Sequence, residues 1–371
     1  MPWFRPLVAV LLAVVLPVLA APAARAADRV PATALPGLSA QDPTRVLDLN
    51  DAGQIIGESG STPVLWRRAR VTALPGSFAT SINRRGQVVL TDSRIGGGDY
   101  VQHPKIWHDG TTTGIAPEGA GIVAAGAIND RGWVPMTYSA SPAGWHLERA
   151  AVWRDGRVQV LPVGDAGPHL SARVINHYGL VAGAHTPMMG GASFGFRCRE
   201  GSCDRLPDAP GTSGSYSVSA VNGSGVIVGS RGLVPLRWQG DTVTVLPGGE
   251  GRVADNRRAV NERGDVAGWT KDAAGVRRAT VWRGGQQVVI PVAGPAEALA
   301  VNDNGDVVGR STASGADRAF LWRNGRVIDL GTLGGAYSTP VALNNTGTII
   351  GLATTADGSY RAVRWQVGPA R

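Results

Sequence analysis

The amino-acid sequence predicts an all-β protein, an eight-bladed β-propeller whose blades each contain four strands. Three observations lead to this prediction. A unit of roughly forty residues recurs eight times, a period typical of propellers. Each unit consists of short apolar runs separated by turns rich in Gly and Asn, with no sustained helical periodicity. The two ends of the chain supply complementary parts of one unit. The alternatives are a seven-bladed ring and an open array of β-repeats.

Each unit is recognised by an apolar residue followed by Asn, two variable residues and Gly. Asn and Gly tolerate the left-handed backbone of tight turns, and Asn also caps its own turn. An apolar run such as Val226-Ile-Val-Gly229 then follows. The motif therefore predicts strand A, a short turn and strand B. The eight asparagines are Asn50, Asn83, Asn129, Asn176, Asn222, Asn261, Asn302 and Asn344.

The second half of each unit contains a Trp and a Leu-Pro step. The Trp closes the next apolar run, and a short turn such as Arg323-Asn-Gly325 leads to a last run that ends in Leu-Pro or a relative of it. These runs predict strands C and D. Because a catalytic site needs different groups at one place, residues present in every blade are assigned structural roles, turn capping for Asn and packing between blades for Trp. The tryptophans are Trp66, Trp107, Trp153, Trp238, Trp282, Trp322 and Trp365.

The chain ends predict how the ring closes. The last unit stops after its strand C, at Trp365, with no Leu-Pro strand behind it. Residues 30–37 read Val-Pro-Ala-Thr-Ala-Leu-Pro-Gly and closely match residues 71–76, which contain strand D of the first unit. We therefore predict that the N-terminal strand completes the eighth blade, which removes an open edge that would invite aggregation.

The units near the C-terminus resemble the HAF repeat family of extracellular bacterial proteins. The resemblance is based on residues 300–309, 318–325 and 329–335; Arg318 stands where the family has His, and Ala319-Phe320 match. It covers the whole mature chain, strongly in the last three units and loosely in the second and fourth. It implies an extracellular repeat protein and no particular activity.

The N-terminus predicts export. Residues 1–26 have the features of a signal peptide, with Arg5 before an apolar run at 7–20 and Ala-Arg-Ala at 24–26. This run is short for a membrane span. We expect residues 27–371 to form one secreted propeller domain, monomeric and without a membrane span. The net charge of +8 comes almost entirely from arginines spread over all repeats, so no nucleic-acid partner is predicted.

The two cysteines predict a local disulfide. Cys198 occupies the Trp position of its unit, and Cys203 falls in the following strand. The pair brackets a four-residue hairpin, so the two Cα atoms can approach within disulfide reach. Export to an oxidising compartment favours this bond over a metal or nucleophilic role. Because the loop it closes is small, its effect on stability is expected to be modest.

The parts that do not repeat are the candidates for function. The longest connections between strands B and C belong to blades two, three and four, at about 91–103, 137–148 and 184–193. Ligand-binding residues on rigid scaffolds lie preferentially on such loops. The candidate ligand-binding residues there are Tyr100, His103, Tyr138, Trp145, His146 and His185.

The sequence favours a non-catalytic extracellular binding module for an unknown glycan or protein. The alternative is a secreted propeller enzyme, a hydrolase or lyase that acts on a polysaccharide or peptide. An enzyme would need a converging acid/base pair, whereas most of the acids fall in the repeated turns, as Asp51, Glu262 and Asp303 do. No catalytic residue, metal site or cofactor is predicted. A purely structural surface component is a third possibility.

Overall fold

The computed structural model contains strands and turns and no helix over the residues that it describes. Consequently, no helix of this part of the chain is long and apolar enough to cross a membrane. The predicted signal peptide lies outside the described residues, which are 29–68, 70–96, 99–139, 148–163, 170–187 and 192–368.

The strands form eight antiparallel sheets, which are the blades, each with its strands in the sequence order A to D. In blades 1 to 7 all four strands come from one continuous segment of the chain, and blade 8 is the exception. Blades 1 to 4 consist of β3 (Thr44–Leu49), β4 (Ile55–Ser59), β5 (Thr62–Arg67) and β6 (Arg70–Ala73); β7 (Phe78–Ile82), β8 (Val88–Gly96), β9 (Asp99–His108) and β10 (Thr111–Gly114); β11 (Val123–Ala125), β12 (Val134–Ser139), β13 (Glu148–Arg154) and β14 (Arg157–Val160); and β15 (Leu170–Ile175), β16 (Val181–His185), β17 (Phe194–Arg199) and β18 (Ser202–Arg205).

The second half of the chain continues the pattern and supplies three strands of the last blade. Blades 5 to 8 consist of β19 (Tyr216–Val221), β20 (Ile227–Arg231), β21 (Val234–Gln239) and β22 (Thr242–Val245); β23 (Gly251–Val253), β24 (Val266–Lys271), β25 (Arg277–Arg283) and β26 (Gln286–Val289); β27 (Ala296–Val301), β28 (Val307–Ser311), β29 (Arg318–Arg323) and β30 (Arg326–Leu330); and β31 (Gly334–Leu343), β32 (Thr348–Thr355) and β33 (Tyr360–Gln366).

The N-terminal segment closes the ring. Its strand β2 (Thr33–Ala34) pairs antiparallel with β33 and is the fourth strand of blade 8. Just before it, β1 (Arg29–Val30) runs parallel to β30 at the outer edge of blade 7. The carbonyl of Pro36 then accepts the indole N–H of Trp66 in blade 1 at 2.7 Å. The predicted ring closure and the eight-bladed fold are therefore confirmed.

The core consists of a series of apolar layers between adjacent blades. One layer combines Ile56 and Leu65 of blade 1 with Val88, Leu90 and Trp107 of blade 2. Such layers recur around the ring, and each buries side chains from both of its blades. Because no blade can bury its faces alone, the blades stabilise one another through these layers.

The repeated Trp and the repeated Leu-Pro are partners across the blade boundaries. The indole N–H of Trp238 donates to the carbonyl of Pro207 in the preceding blade at 3.0 Å, and that of Trp282 donates to Pro247 at 2.7 Å. In blade 8 the indole of Trp365 reaches Gly331 at 2.9 Å. A buried indole N–H needs such an acceptor. In blades 1, 5, 6 and 8 the packing role predicted for Trp is thus accompanied by a hydrogen bond to the Leu-Pro segment or its equivalent, whereas the buried indole N–H of Trp322 in blade 7 has no hydrogen-bond partner among the described residues.

The innermost strand of most blades contains a β-bulge that the sequence did not predict. In blade 5 the register shifts between Val218 and Ala220, so Ser219 faces the axis as an extra residue. The bulge brings the carbonyl oxygen of Ser217 within 1.9 Å of where a Cβ on Gly229 would lie. A side chain at Gly229, the third residue of β20, would therefore meet this carbonyl, although blade 2 has Leu90 at the equivalent position. The same shift occurs in blades 1, 2, 4, 7 and 8.

Candidate functional site

The eight repeated asparagines form a closed circle of hydrogen bonds around the axis. Within its own turn, the Oδ1 of Asn222 accepts the N–H of Val226 at 2.9 Å. Its Nδ2 donates to the backbone carbonyl of Asn261 in the next blade, also at 2.9 Å. Asn344 closes the circle by donating to the carbonyl of Asn50 at 3.0 Å. The other six asparagines make the same donation. The predicted capping role is confirmed, and each side chain also joins two blades.

The residues that directly follow these asparagines form a partial second circle at the same face. The carboxylate of Glu262 accepts the N–H of Gly223 at 2.9 Å, and that of Asp303 accepts the N–H of Glu262 at 2.9 Å. Asp51 accepts the N–H of Asn345 at 3.1 Å. These are acids that the sequence places in repeated turns. Their carboxylates hold neighbouring blades together.

Blade 6 departs from the repeat at the axis. Its innermost strand pairs regularly up to Ala254, whose N–H donates to Ala267, and pairing resumes at Ala259. Residues 255–258 stand where other blades have a single bulged residue, and they place Arg257 and Arg258 in the channel. The sequence signal for this feature is a run of four polar residues, Asp-Asn-Arg-Arg, immediately before the Ala-Val-Asn of this unit. Sequence reasoning missed it.

Both arginines meet a single buried carboxylate of blade 1, which lies three blades further around the ring. Arg257 forms an ion pair with Asp48 of blade 1, and Arg258 Nη2 lies 3.3 Å from Asp48 Oδ1 and also donates to the carbonyl of Leu49. The Asp48 side chain is 2% exposed, and its Oδ2 accepts the N–H of Ile82 at 2.8 Å. Burying this charge is tolerable because both its oxygens have partners.

Asp48 is itself an exception to the repeat. The corresponding positions are two residues before the Asn of each unit, and among them only Ser81 is also polar. The others are Ala127, Val174, Ala220, Ala259, Ala300 and Ala342.

Burial, and secondarily the charge of Arg258, lower the pKa of Arg257 to about 9. Burial likewise lowers the pKa of Arg258. Arg257 nevertheless remains protonated at neutral pH.

The arginine pair lies between two cavities of the channel, which we call the upper and lower chambers. The lower chamber has a volume of about 250 Å³ and lies at the face of the A–B turns, where Asp51, Glu262 and Asp303 contribute to its lining. The upper chamber has a volume of about 380 Å³ and lies towards the face of the B–C connections. Arg257 and Arg258 line both chambers.

The two chambers differ in the sign of their charge. The lining of the upper chamber has three guanidiniums, including that of Arg173, against the carboxylates of Asp48 and Asp255, an excess of one positive charge. Arg173 of blade 4 pairs with Asp255 of blade 6 at 3.0 Å, and both side chains are largely exposed. The lining of the lower chamber has four carboxylates against three guanidiniums. Of these two chambers, the upper one therefore favours an anion.

The predicted ligand-binding residues of blade 2 lie on a long hairpin. Strands β8 and β9 pair from Val88↔Trp107 to Gly96↔Asp99, nine pairs in all, whereas the equivalent strands of blade 1 form five. Tyr100 lies in the added part of β9, and the exposed His103 lies at its base. The loop expected at 91–103 is thus part of a hairpin, because β8 and β9 stay paired for four residues more than the equivalent strands of blade 1.

The remaining predicted residues are not brought together with this hairpin. Tyr138 is on β12 and is 7% exposed, packed in the apolar layer between blades 2 and 3. His185 ends β16 and is 6% exposed, with its ring 5.0 Å from that of Phe194. The sequence predicted loop positions for both residues, but β12 and β16 extend further than expected and include them. Trp145 and His146 lie outside the described residues.

The predicted disulfide is present. Cys198 of β17 lies opposite Cys203 of β18, and the two Cα atoms are 4.1 Å apart. The bond suits an oxidising compartment. Over the described ranges, no group of three or more His, Cys, Asp or Glu side chains is arranged to hold a metal ion.

No protein-family model and no curated protein matches the chain. Among solved structures, it is similar to the β-propeller domain of the trilobed protease from Pyrococcus furiosus, which has an open velcro topology, with a TM-score of 0.50 and 11% identity over 77% of this chain and 94% of that one. It is also similar to a puromycin-hydrolysing peptidase from Mycobacterium tuberculosis, with a TM-score of 0.47 and 14% identity over 88% of this chain and 61% of that one. A third similar structure is Porphyromonas gingivalis dipeptidyl peptidase 4, with a TM-score of 0.49 and 9% identity over 86% of this chain and 65% of that one. The chain thus spans less than two thirds of each of the last two proteins, and the similarity to the trilobed protease supports the propeller fold alone.

Proposed function

We propose that this protein is a secreted, non-catalytic binding module of the HAF repeat type, which engages an extracellular glycan or protein. Its binding surface is the face of the B–C connections, next to the upper chamber. The observation that supports this proposal is the β8–β9 hairpin, which breaks the symmetry of the ring on this face. Its four pairs beyond the five of blade 1 extend it by roughly 13 Å.

The base of the hairpin is held firmly against the ring. Lys105 of β9 forms an ion pair with Asp92 of β8 at 2.8 Å, and both side chains are mostly buried. Gln102 also bridges to Ile122 of the next blade, and its N–H donates to the carbonyl of Gly121 at 3.4 Å. A projecting element on a rigid base is the usual arrangement of a recognition surface, since little ordering is needed on binding.

The non-catalytic part of the proposal is supported by the roles of the turn acids. The carboxylates of Asp51, Glu262 and Asp303 each accept a backbone N–H from an adjacent turn residue. Proton transfer from such a group would disturb contacts between blades. The alternative, a secreted hydrolase or lyase, is retained as an outcome of the test, because the trilobed protease contains a similar propeller domain.

The test is a binding screen of residues 27–371 against purified bacterial and plant polysaccharides and a panel of extracellular proteins. In the test variant, residues 93–102 are replaced by Gly-Ser, the turn that blade 1 has at Gly60-Ser61. In the matched control, residues 313–316 of the blade 7 connection are replaced by the same dipeptide.

We expect at least one panel member to bind the unmodified chain. The shortened hairpin should weaken this binding tenfold or more, and the blade 7 control should change it less than twofold. No binding to any member, or equal binding by both variants, contradicts the proposal. Turnover of a bound polysaccharide or peptide supports the enzyme instead.

A further inference from the structure

We propose that the upper chamber is a binding site for a carboxylate, with the uronic acid residue of an acidic glycan as its ligand. This inference rests on the proposed binding function and names the ligand chemistry of the same face. It is based on the three arginines that blades 4 and 6 place around one cavity. None of these arginines belongs to the repeated motifs.

The charge of the chamber favours a monoanion. Arg257 and Arg258 share the single carboxylate of Asp48, so one of the two positive charges is not neutralised by it. A planar guanidinium offers five N–H donors in a geometry that matches a carboxylate. The contacts described for these two side chains use only their Nη2 atoms, and the buried Arg258 Nε has no hydrogen-bond partner.

The third arginine can change partners easily. Arg173 pairs with Asp255 across the mouth of the chamber, but the two side chains are 58% and 73% exposed. Exposed ion pairs of this kind contribute little, because water and salt compete with them. Arg173 can therefore turn from Asp255 to a bound carboxylate. The exposure of this pair and of Leu47 also shows that the chamber opens to solvent.

The size and lining of the chamber fit one sugar ring. A volume of about 380 Å³ is near the lower end of the range found for small-molecule sites. Its wall combines the polar groups of Thr80, Ser219 and Asn256 with the small apolar surfaces of Ala127 and Val341. Such a mixture suits the hydroxyl groups and the C–H faces of a pyranose. The lower chamber, which has one more carboxylate than guanidiniums in its lining, favours an anion less than the upper chamber does.

The experiment measures binding of glucuronate, galacturonate and a galacturonate trisaccharide to residues 27–371 by isothermal titration calorimetry at low salt. Glucose and acetate serve as ligand controls, since each contains only part of the proposed chemistry. We expect the uronates to bind, the trisaccharide to bind at least as tightly as the monomer, and glucose to show no binding. An acetate affinity equal to that of the uronates would contradict the assignment to a sugar acid.

Four variants test which residues hold the carboxylate. Arg257→Gln and Arg173→Gln should each weaken uronate binding tenfold or more, whereas the exposed Arg252→Gln in the same blade should change it less than twofold. Asp48→Asn keeps an acceptor for the N–H of Ile82 and removes the competing charge, so it should tighten binding threefold or more. This opposite sign also separates a binding role from a structural one if Arg257→Gln does not fold.

The proposal is overturned if uronates do not bind at 50 mM, or if Arg173→Gln and Asp48→Asn both leave their affinity unchanged. The shortened β8–β9 hairpin is measured in parallel and should keep its affinity for monomeric uronate. Loss of the hairpin function and loss of the chamber function are therefore distinguishable.

Discussion

The side-chain amide of each repeated asparagine is used at both of its ends. Its oxygen caps the A–B turn, as the Asn-x-x-Gly spacing predicts, since that contact lies within four residues of the Asn. Its nitrogen reaches the next blade, a partner that is 39 residues away for Asn222. A spacing within one unit contains no information about that partner, so the closed circle could not be predicted from the sequence.

The circle makes Asn222→Asp a sharper test than Asn222→Ala. Aspartate keeps the oxygen that caps the turn but places a second oxygen against the buried carbonyl of Asn261, where the amide donated at 2.9 Å. We expect the free energy of unfolding to fall by about 2–3 kcal/mol, measured by urea denaturation.

The matched control is Asn324→Asp in the exposed C–D turn of blade 7. Asn324 has a φ of 51°, and the equivalent Asp109 and Asp155 have φ values of 46° and 51°, so aspartate is compatible with this turn. Its cost should be below about 0.5 kcal/mol. Equal tolerance of both substitutions would mean that the repeated Asn acts only as a cap.

At the scale of elements, the innermost strands differ most from what the sequence predicts. The alternation of apolar residues correctly identifies the strands, but it does not reveal a bulge, because the extra residue occurs at an interior position of an otherwise regular run. The recurrent Gly of strand B was the available signal. It marks where the carbonyl of the bulged strand lies, as at Ser217 and Gly229.

Gly229→Ala tests this close approach. A Cβ at this position would lie 1.9 Å from the oxygen of Ser217, and both strands are fixed by their neighbours, so one of them must shift. We expect a loss of about 2–3 kcal/mol in the free energy of unfolding, which chemical denaturation measures. Gly114→Ala on β10 is the control, since no atom lies within 4 Å of its Cβ position. A similar small effect for both would remove the packing explanation of the repeated Gly.

Strand ends explain the corrected site residues. The sequence placed Tyr138 and His185 in connections, yet β12 and β16 include them and both are buried. Polar and aromatic residues at the end of a strand cannot be distinguished from loop residues by sequence when the partner strand is unknown. The axial residues were missed for a related reason: Asp48 and the Arg257–Arg258 pair are far apart in sequence, and only ring closure brings them into contact.

At the scale of the whole molecule, the repeated residues and the exceptions to the repeat have different roles. Repeated residues join neighbouring blades, by Asn at the axis and by Trp further out. The exceptions are concentrated on one side, in the hairpin of blade 2 and the arginines around the upper chamber. The sequence predicted the ring and its closure because both depend on the order of motifs along the chain.

Closure of the ring depends on the N-terminal segment. The segment that closes it contacts three blades, through Arg29 with blade 7, Thr33 with blade 8 and Pro36 with blade 1. Leu35 is 5% exposed, and its N–H donates to the carbonyl of Ala362 at 2.8 Å. Removing the segment exposes the edge of β33 and leaves the indole of Trp66 without its acceptor.

The most direct measurement is the free energy of unfolding of residues 38–371 compared with that of residues 27–371, by urea denaturation. We expect the shorter chain to lose at least about 3 kcal/mol, the scale of one large buried side chain. Amide exchange should accelerate in β33, and an added peptide of residues 28–37 should reverse both changes while a scrambled peptide should not. Unchanged stability and unchanged exchange in β33 would contradict the closed eight-bladed ring.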